Sequence, residues 1–187
     1  PEVELVSWPT PAPDDLSGCD VAGWDEDFRK SESAFSLHDA HLSRALPILM
    51  PFFSDCGVPS NWQEFVLYSQ TAQGMLTQFG IDVWRSRWPH CTMTMSWVFN
   101  VIWPSSMTWE YVDWFGVPKI SYYFQKRAYE PLHIGATCDE RFWPAGSTFR
   151  ARLFVSNETL DEYRRAEIVV RLYDQNLESL TQTRRSV

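Results

Sequence analysis

The residues that say most about the fold are 96–119, which read SWVFNVIWPSSMTWEYVDWFGVPK. This stretch holds four tryptophans among few charged side chains: Trp97, Trp103, Trp109 and Trp114. A hydrophobic core is commonly built from Leu, Ile and Val, whereas rigid aromatic faces that end in a polar group also suit a sugar-binding cleft. The stretch by itself therefore leaves two interpretations open, packing in a core and stacking against a sugar.

Composition and charge exclude several classes of partner. The chain has 187 residues, of which 44% are hydrophobic and 21% charged, as in an ordinary globular protein. Residues 1–60 carry 11 acidic and 3 basic side chains, and the remainder carries 13 of each, so the net charge of −8 lies in the first third. An acidic segment argues against a nucleic-acid or anionic-membrane partner. Because no run of about 18 apolar residues occurs, no transmembrane helix is expected.

The potential metal ligands lack the spacing of a metal site. Successive cysteines lie 37, 35 and 47 residues apart, too far for a zinc or redox motif. We expect free or buried thiols, with a disulfide as the alternative. His38 and His41 are three residues apart on a possible helix, and we find no third ligand beside them. We therefore expect neither a metal nor a cofactor.

Helical periodicity begins near Ser60. Ser60 with Gln63 is typical of a capping box, and apolar residues then recur at helical spacing to about Arg87. Residues 91–99, CTMTMSWVF, are β-rich and uncharged, which is typical of a strand covered on both faces. A second helix is predicted over residues 120–129. The order of helix, buried strand, long loop and helix fits the closing units of a parallel α/β barrel.

The sequence changes character after residues 129–134, YEPLHI. Residues 147–157 and 164–175 alternate apolar and polar side chains, a pattern typical of a β-sandwich. Three or four strands fit here, against about seven in a complete sandwich, and the first part is shorter than a barrel of about 250 residues. The predicted fold class is therefore α/β: the C-terminal portion of a (β/α)8 TIM barrel in residues 1–131, then an immunoglobulin-like β-sandwich segment in residues 132–187. We expect the chain to be a fragment or a processed subunit.

The same tryptophan-rich region resembles a known enzyme family. WVFNVIWP and WEYVDWFGVPKISYYFQKRAYEPLHI resemble the last barrel strand, loop and helix of glycoside hydrolase family 2, in particular its β-mannosidase-like branch. The matching positions are Trp97, Asn100, Trp103, Pro104, Asp113, Gly116, Pro118, Lys119, Tyr122 and Tyr123. Val98 and Val101 stand where the family usually has Gln and Asp. FSLHDAH and FVLYSQTAQ, farther upstream, resemble stretches that precede the family's last strand.

The resemblance implies one catalytic residue in this chain. The family's nucleophile is a Glu at the end of the seventh barrel strand, followed by a Ser and a Pro. PEVELVSWP places Glu2, Ser7 and Pro9 in that register, with Glu4 in place of the family's glycine. A solvated terminal acid is the alternative for Glu2. The general acid/base, a Glu on the fourth barrel strand, would lie upstream of this sequence.

The resemblance also implies sugar contacts. Trp97, at the end of the last strand, would stack against the apolar face of the sugar, with barrel packing as the alternative. Asn100 would orient a hydroxyl group or the nucleophile, and Trp103 is an equal candidate for stacking and for packing. Four other tryptophans are expected to be structural. Trp84 and Trp88, on the first helix, are expected in the hydrophobic core, and Trp109 and Trp114 are expected to be covered by the loop that contains them.

The function implied is that of a retaining exo-β-glycosidase, β-mannosidase-like, acting through a covalent glycosyl-enzyme intermediate. Its substrate would be a carbohydrate, and its partner the remaining part of the same enzyme. Exo-β-D-glucosaminidase of the same family is one alternative. A non-catalytic carbohydrate-binding protein that kept the aromatic cleft is another.

Overall fold

The computed structural model describes residues 38, 56–57, 59–105, 108–140, 143–144, 146–174 and 176–186. The helices within these residues are α1 (Trp62–Arg85) and α2 (Ile120–Ala128), and the strands are β1 (Leu132–Thr137), β2 (Arg152–Asn157), β3 (Glu167–Tyr173) and β4 (Ser179–Ser186). The chain forms two compact units, Pro1–Ser156 and Asn157–Val187. Neither described helix has the length and apolar character that crossing a bilayer requires.

Helix α1 begins with a cap that is displaced by one residue from the predicted one. The N-cap is Asn61, whose Oδ1 accepts a hydrogen bond from the backbone N–H of Glu64 at 2.9 Å. The backbone N–H and the hydroxyl of Ser60 both donate to Glu64 Oε2 at 2.8 Å. These two bonds stabilise the ionised carboxylate and lower the pKa of Glu64. The capping interaction with Ser60 therefore uses Glu64 rather than the predicted Gln63, since an ionised carboxylate accepts stronger hydrogen bonds than an amide.

Helices α1 and α2 are in tight contact at Gly74 of α1. A Cβ atom placed on Gly74 would lie 2.6 Å from Cδ2 and 2.8 Å from Cγ of Phe124 in α2. The residues of α2 that are completely buried, Ser121 and Ala128, are also small. Small side chains allow the two backbones to approach, so the α1–α2 contact depends on the absence of a side chain at Gly74.

Buried polar contacts join the end of α1 to β1. Asp82 Oδ1 lies 2.7 Å from Nε2 of His133, and both side chains are buried. One turn later, Arg85 donates to the carbonyl oxygens of Ala128 and Glu130, at 2.5 and 3.0 Å. The last turn of α1 therefore holds both the end of α2 and the chain that enters β1.

Strands β1 and β2 form a two-stranded sheet against the same end of α1. A Cβ atom on Gly135 of β1 would lie 2.2 Å from the ring of Phe154 in β2, and that ring makes an edge contact with His133 at 6.1 Å. Arg85 also donates to the hydroxyl of Ser156 at 3.1 Å. Both strands thus pack with the helices in the first compact unit, and the predicted domain boundary at residue 131 stays a prediction.

The second unit contains the antiparallel ribbon of β3 and β4. Ile168 is opposite Arg185 and Val170 is opposite Thr183, with an irregularity next to Leu172. Alternation is visible in β3, where Ile168 and Val170 are less exposed than their neighbours, but every residue of β4 is exposed. The predicted strands over 147–157 and 164–175 are confirmed as β2 and β3, and their place in a sandwich stays a prediction.

Two local predictions are wrong. Residues 91–99 form no strand, because a strand needs a hydrogen-bonded neighbour and no described segment provides one. Trp84 and Trp88 are exposed rather than in the core. The buried residues near the end of α1 are Ile81 and Asp82, and Trp88 lies beyond the helix in a turn.

The glycines of α1 allow a matched test of the helix contact. Gly74→Ala should lower the free energy of unfolding by about 1–2 kcal/mol, because the overpacking against Phe124 exceeds the gain in helix propensity. Gly80→Ala is the control, since its Cβ atom would meet nothing closer than 3.8 Å. That change should raise stability by up to about 1 kcal/mol. Urea denaturation compares the two, and equal stabilisation by both changes would contradict the tight contact at Gly74.

Candidate functional site

Residues 91–99 precede the tryptophan-rich loop, which connects them to α2, and they lie along that helix. The hydroxyl of Thr94 lies 2.9 Å from the hydroxyl of Tyr129, which also donates to the Thr94 carbonyl oxygen at 3.3 Å. Two residues later, the hydroxyl of Ser96 accepts a hydrogen bond from the side-chain amide of Gln125. Alternate polar residues of this segment therefore face α2 and its C-cap.

The residues that alternate with Thr94 and Ser96 form an exposed apolar row, Met93, Met95 and Trp97. Their side chains are 70%, 80% and 81% exposed. Polar residues facing a helix and apolar residues facing solvent are the reverse of what hydrophobic burial favours. Large apolar residues exposed at alternate positions of one segment are typical of a place where a ligand or further protein binds. Trp97, the predicted sugar platform, is the last member of the row.

Asn100 lies where the start of the loop is hydrogen-bonded to residues 111 and 112 farther along it. Asn100 forms a parallel bridge with Val112, and the carbonyl oxygen of Phe99 accepts hydrogen bonds from Tyr111 and Val112, both at 3.0 Å. The peptide bond between Trp97 and Val98 is cis. Asn100 is exposed, while its backbone is held by these contacts.

A tight turn shapes the far end of the loop. Asp113 Oδ1 accepts hydrogen bonds from the N–H groups of Phe115 and Val117 at 2.9 and 2.8 Å. Gly116 has a φ of +82°, a left-handed conformation that glycine adopts at no steric cost. Asp113 and Gly116, which carry the family resemblance, thus build the turn rather than a ligand contact.

A buried ion pair lies below the loop. Glu110 is 1% exposed, and its Oε1 pairs with Nζ of Lys119, which is also buried. Glu110 Oε2 has no hydrogen-bond partner within the described part of the chain. Lys119 immediately precedes α2, so the pair connects the loop to the start of that helix.

Two glutamines of α1 support the loop from the other side. Gln73 donates to the carbonyl oxygen of Trp109 at 2.9 Å and accepts from the hydroxyl of Ser121 at 2.9 Å. Gln70 accepts from the first backbone N–H of α2, that of Ile120, at 2.9 Å. Neither glutamine was predicted to have a role. Their spacing of three residues places both amides on one face of the helix, but it does not indicate which residues they contact.

The remaining tryptophans of the loop are partly exposed. Trp103 is 38% exposed and stacks on the ring of His38. Trp109 and Trp114 were expected to be covered by the loop, but both are exposed. The loop instead buries Glu110 and Asp113, whose hydrogen bonds and charge need the protein interior more than the indole rings do.

The described residues include three of the four predicted site residues. Trp97, Asn100 and Trp103 lie within seven positions of one another, and all three are exposed. Glu2, the predicted nucleophile, lies outside the described residues. The roles of all four stay predictions. Among the residues that the structure describes, no group of three or more His, Cys, Asp or Glu is arranged to hold a metal ion.

Comparison with curated proteins relates the chain to β-mannosidases. No family model matches the chain. It is similar to Beta-mannosidase B of Emericella nidulans, with 29% identity over 106 residues, which is 52% of this chain and 12% of that protein. It is also similar to Beta-mannosidase B of Aspergillus niger, with 30% identity over 84 residues, 43% of this chain and 10% of that protein. The matched stretches thus span about a tenth of the relatives' length.

Comparison with solved structures concerns a much larger part of the chain. The β-D-mannosidase of Dictyoglomus thermophilum aligns with 94% of this chain and 21% of its own, with a TM-score of 0.62 and 17% sequence identity. This likeness is one of fold. Together with the sequence matches, it confirms the predicted resemblance to β-mannosidases.

The buried ion pair gives a test of how the loop is held. Lys119→Met should lower the free energy of unfolding by about 3–5 kcal/mol, because Glu110 is left buried without a countercharge. The double change Lys119→Met with Glu110→Leu should recover most of that loss, since neither charge then remains. Urea denaturation of the two variants measures both effects. A double variant as unstable as the single one would show that the charges do not form the supporting contact.

Proposed function

We propose, from the relationship to β-mannosidases, that this chain is part of a retaining exo-β-glycosidase that removes terminal β-linked mannose. The observation that carries the proposal is the exposed row ending at Trp97, in a stretch whose sequence resembles the family. An aromatic ring that is exposed on a fixed backbone, three residues before an exposed amide, offers the two kinds of contact that a sugar requires.

The proposed fold places this row inside a barrel. In a (β/α)8 barrel each strand has a helix on its outer side and directs alternate side chains inward. Thr94 and Ser96 contact α2, which supports their place on the outer side of the barrel wall. The exposed row supports an inner side for Met93, Met95 and Trp97. We therefore propose that residues 1–131 are the last part of a TIM barrel and residues 132–187 the start of a β-sandwich.

The partner in this proposal is the rest of the same enzyme. Its support is the share of the relatives that is matched, between 10% and 21% of their length. The remaining barrel strands would lie beside residues 91–99 and supply the hydrogen-bonded neighbours that this segment lacks within the described residues, where it forms no strand. They would also cover Met93 and Met95 and leave Trp97 at the mouth, where the carboxyl ends of barrel strands meet.

The proposed reaction uses two carboxylates about 5–5.5 Å apart. Glu2, ionised, attacks the anomeric carbon and forms a glycosyl ester as the leaving oxygen takes a proton from the acid/base of the upstream part. The same residue, now an ionised carboxylate, then removes a proton from water as the water oxygen attacks the anomeric carbon and displaces Glu2 from the sugar. In this scheme Trp97 holds the apolar sugar face, and Asn100 hydrogen-bonds a hydroxyl group.

Replacement of Trp97 tests the platform. In the complete protein, Trp97→Ala should lower kcat/KM for p-nitrophenyl β-D-mannopyranoside by about 10- to 100-fold, through loss of one aromatic contact. The melting temperature should change little, because the side chain is 81% exposed. Trp88→Ala removes an indole that lies outside the loop and is also largely exposed, at 73%, and should change neither quantity. A large fall in melting temperature with normal activity of the folded Trp97→Ala protein would instead show that Trp97 is a packing residue.

Replacement of Glu2 tests the nucleophile. Glu2→Gln should lower kcat by about four or more orders of magnitude, because an amide has no anionic oxygen to form the ester. Glu4→Gln is the control and should stay active. A 2-deoxy-2-fluoro-mannoside should label the peptide that carries Glu2. Label on Glu4 or upstream would show that the nucleophile is misassigned, and a wild-type protein that binds mannosides without hydrolysis would favour a non-catalytic carbohydrate-binding protein.

A further inference from the structure

We infer that His38 is a positioning residue that fixes the indole of Trp103 as a second aromatic platform of the sugar site. The inference rests on the proposed function for its substrate, a pyranoside with an apolar C–H face. It assigns to His38 a role in the binding step, although the side chain belongs to a distant part of the sequence and is not itself placed against the sugar.

The two rings are in an offset-stacked arrangement. Their centroids are 6.2 Å apart and their planes differ by 25°. This separation lies within the 4.5–7 Å range of favourable aromatic pairs. Trp103 keeps 38% of its surface exposed, so the imidazole supports the indole while part of the indole remains open to a ligand.

A second contact joins the same two parts of the chain independently of the imidazole. The buried hydroxyl of Ser105 donates to the backbone carbonyl oxygen of His38 at 3.2 Å. The backbone N–H of Ser105 donates to the carbonyl oxygen of Trp103 at 2.8 Å. Residues 103–105 are therefore tied to the backbone at position 38, and a change of the His38 side chain removes the ring contact while this backbone tie persists.

The consequence concerns the entropy of binding. An indole at the surface loses rotamer freedom when a sugar stacks on it, and that loss reduces affinity. Contact with His38 removes part of this freedom before the sugar arrives. The imidazole should therefore act on KM rather than on kcat, since it neither moves a proton nor contacts the bond that breaks.

The test uses the complete protein and p-nitrophenyl β-D-mannopyranoside. His38→Ala should raise KM about three- to tenfold, the loss expected for one aromatic pair, with kcat changed less than twofold. His38→Phe keeps a flat ring and should restore KM. In a Trp103→Ala background, His38→Ala should have no further effect on KM, because the imidazole acts only through the indole. An undiminished effect of His38→Ala in that background would overturn the inference.

A spectroscopic measurement separates this inference from the proposed function. In protein labelled with 5-fluorotryptophan, the Trp103 resonance is assigned by its loss in Trp103→Phe. His38→Ala should shift or broaden it, and His38→Phe should do so less. A resonance that His38→Ala leaves unchanged overturns the positioning role whether or not the protein is active. A wild-type protein that neither hydrolyses nor binds β-mannosides, with the resonance responding as expected, refutes the proposed function and confines His38 to ordering Trp103.

Discussion

The close approach of α1 and α2 at Gly74 is the constraint on which the first unit depends. Because Phe124 occupies the space that a side chain at Gly74 would fill, the two helices can meet only at this spacing. The neighbouring Gln73 then reaches the loop and the start of α2, and Asp82, two turns later, reaches His133 of β1. One apolar contact thus sets the distance across which the polar contacts form, and these hold the loop that carries the candidate site.

Local sequence patterns predicted the parts of this arrangement that depend on neighbours along the chain. Both helices, and the strands β2 and β3, follow from periodicity and turn residues. Residues 91–99 have the composition of a strand, but strand formation depends on a second segment, which no local pattern supplies. The pairing of Glu110 with Lys119 and the contacts of Gln73 with the loop were equally hidden, since they join residues that are distant in sequence or separated by a turn.

The tryptophans illustrate the same limit for the candidate site. The sequence assigned Trp84, Trp88, Trp109 and Trp114 to the interior on general grounds of hydrophobicity, and all four are exposed. Trp97 was selected by family resemblance, and the structure adds what the resemblance lacked, an exposed ring on a backbone segment held by α2. His38 had no sequence signal for its contact with Trp103, because stacking across 65 positions leaves no periodic trace.

The positions of the ion pairs have a consequence for the response to ionic strength. Arg184 and Glu167 pair on the open β3–β4 ribbon, where dissolved ions surround them, and at high salt their attraction is largely screened. Glu110 and Lys119 are enclosed, so counterions do not reach the space between them. Added salt should therefore weaken the ribbon while the loop beside Trp97 keeps its shape. If the proposed sugar binding changes with salt, the change would have to originate outside this loop.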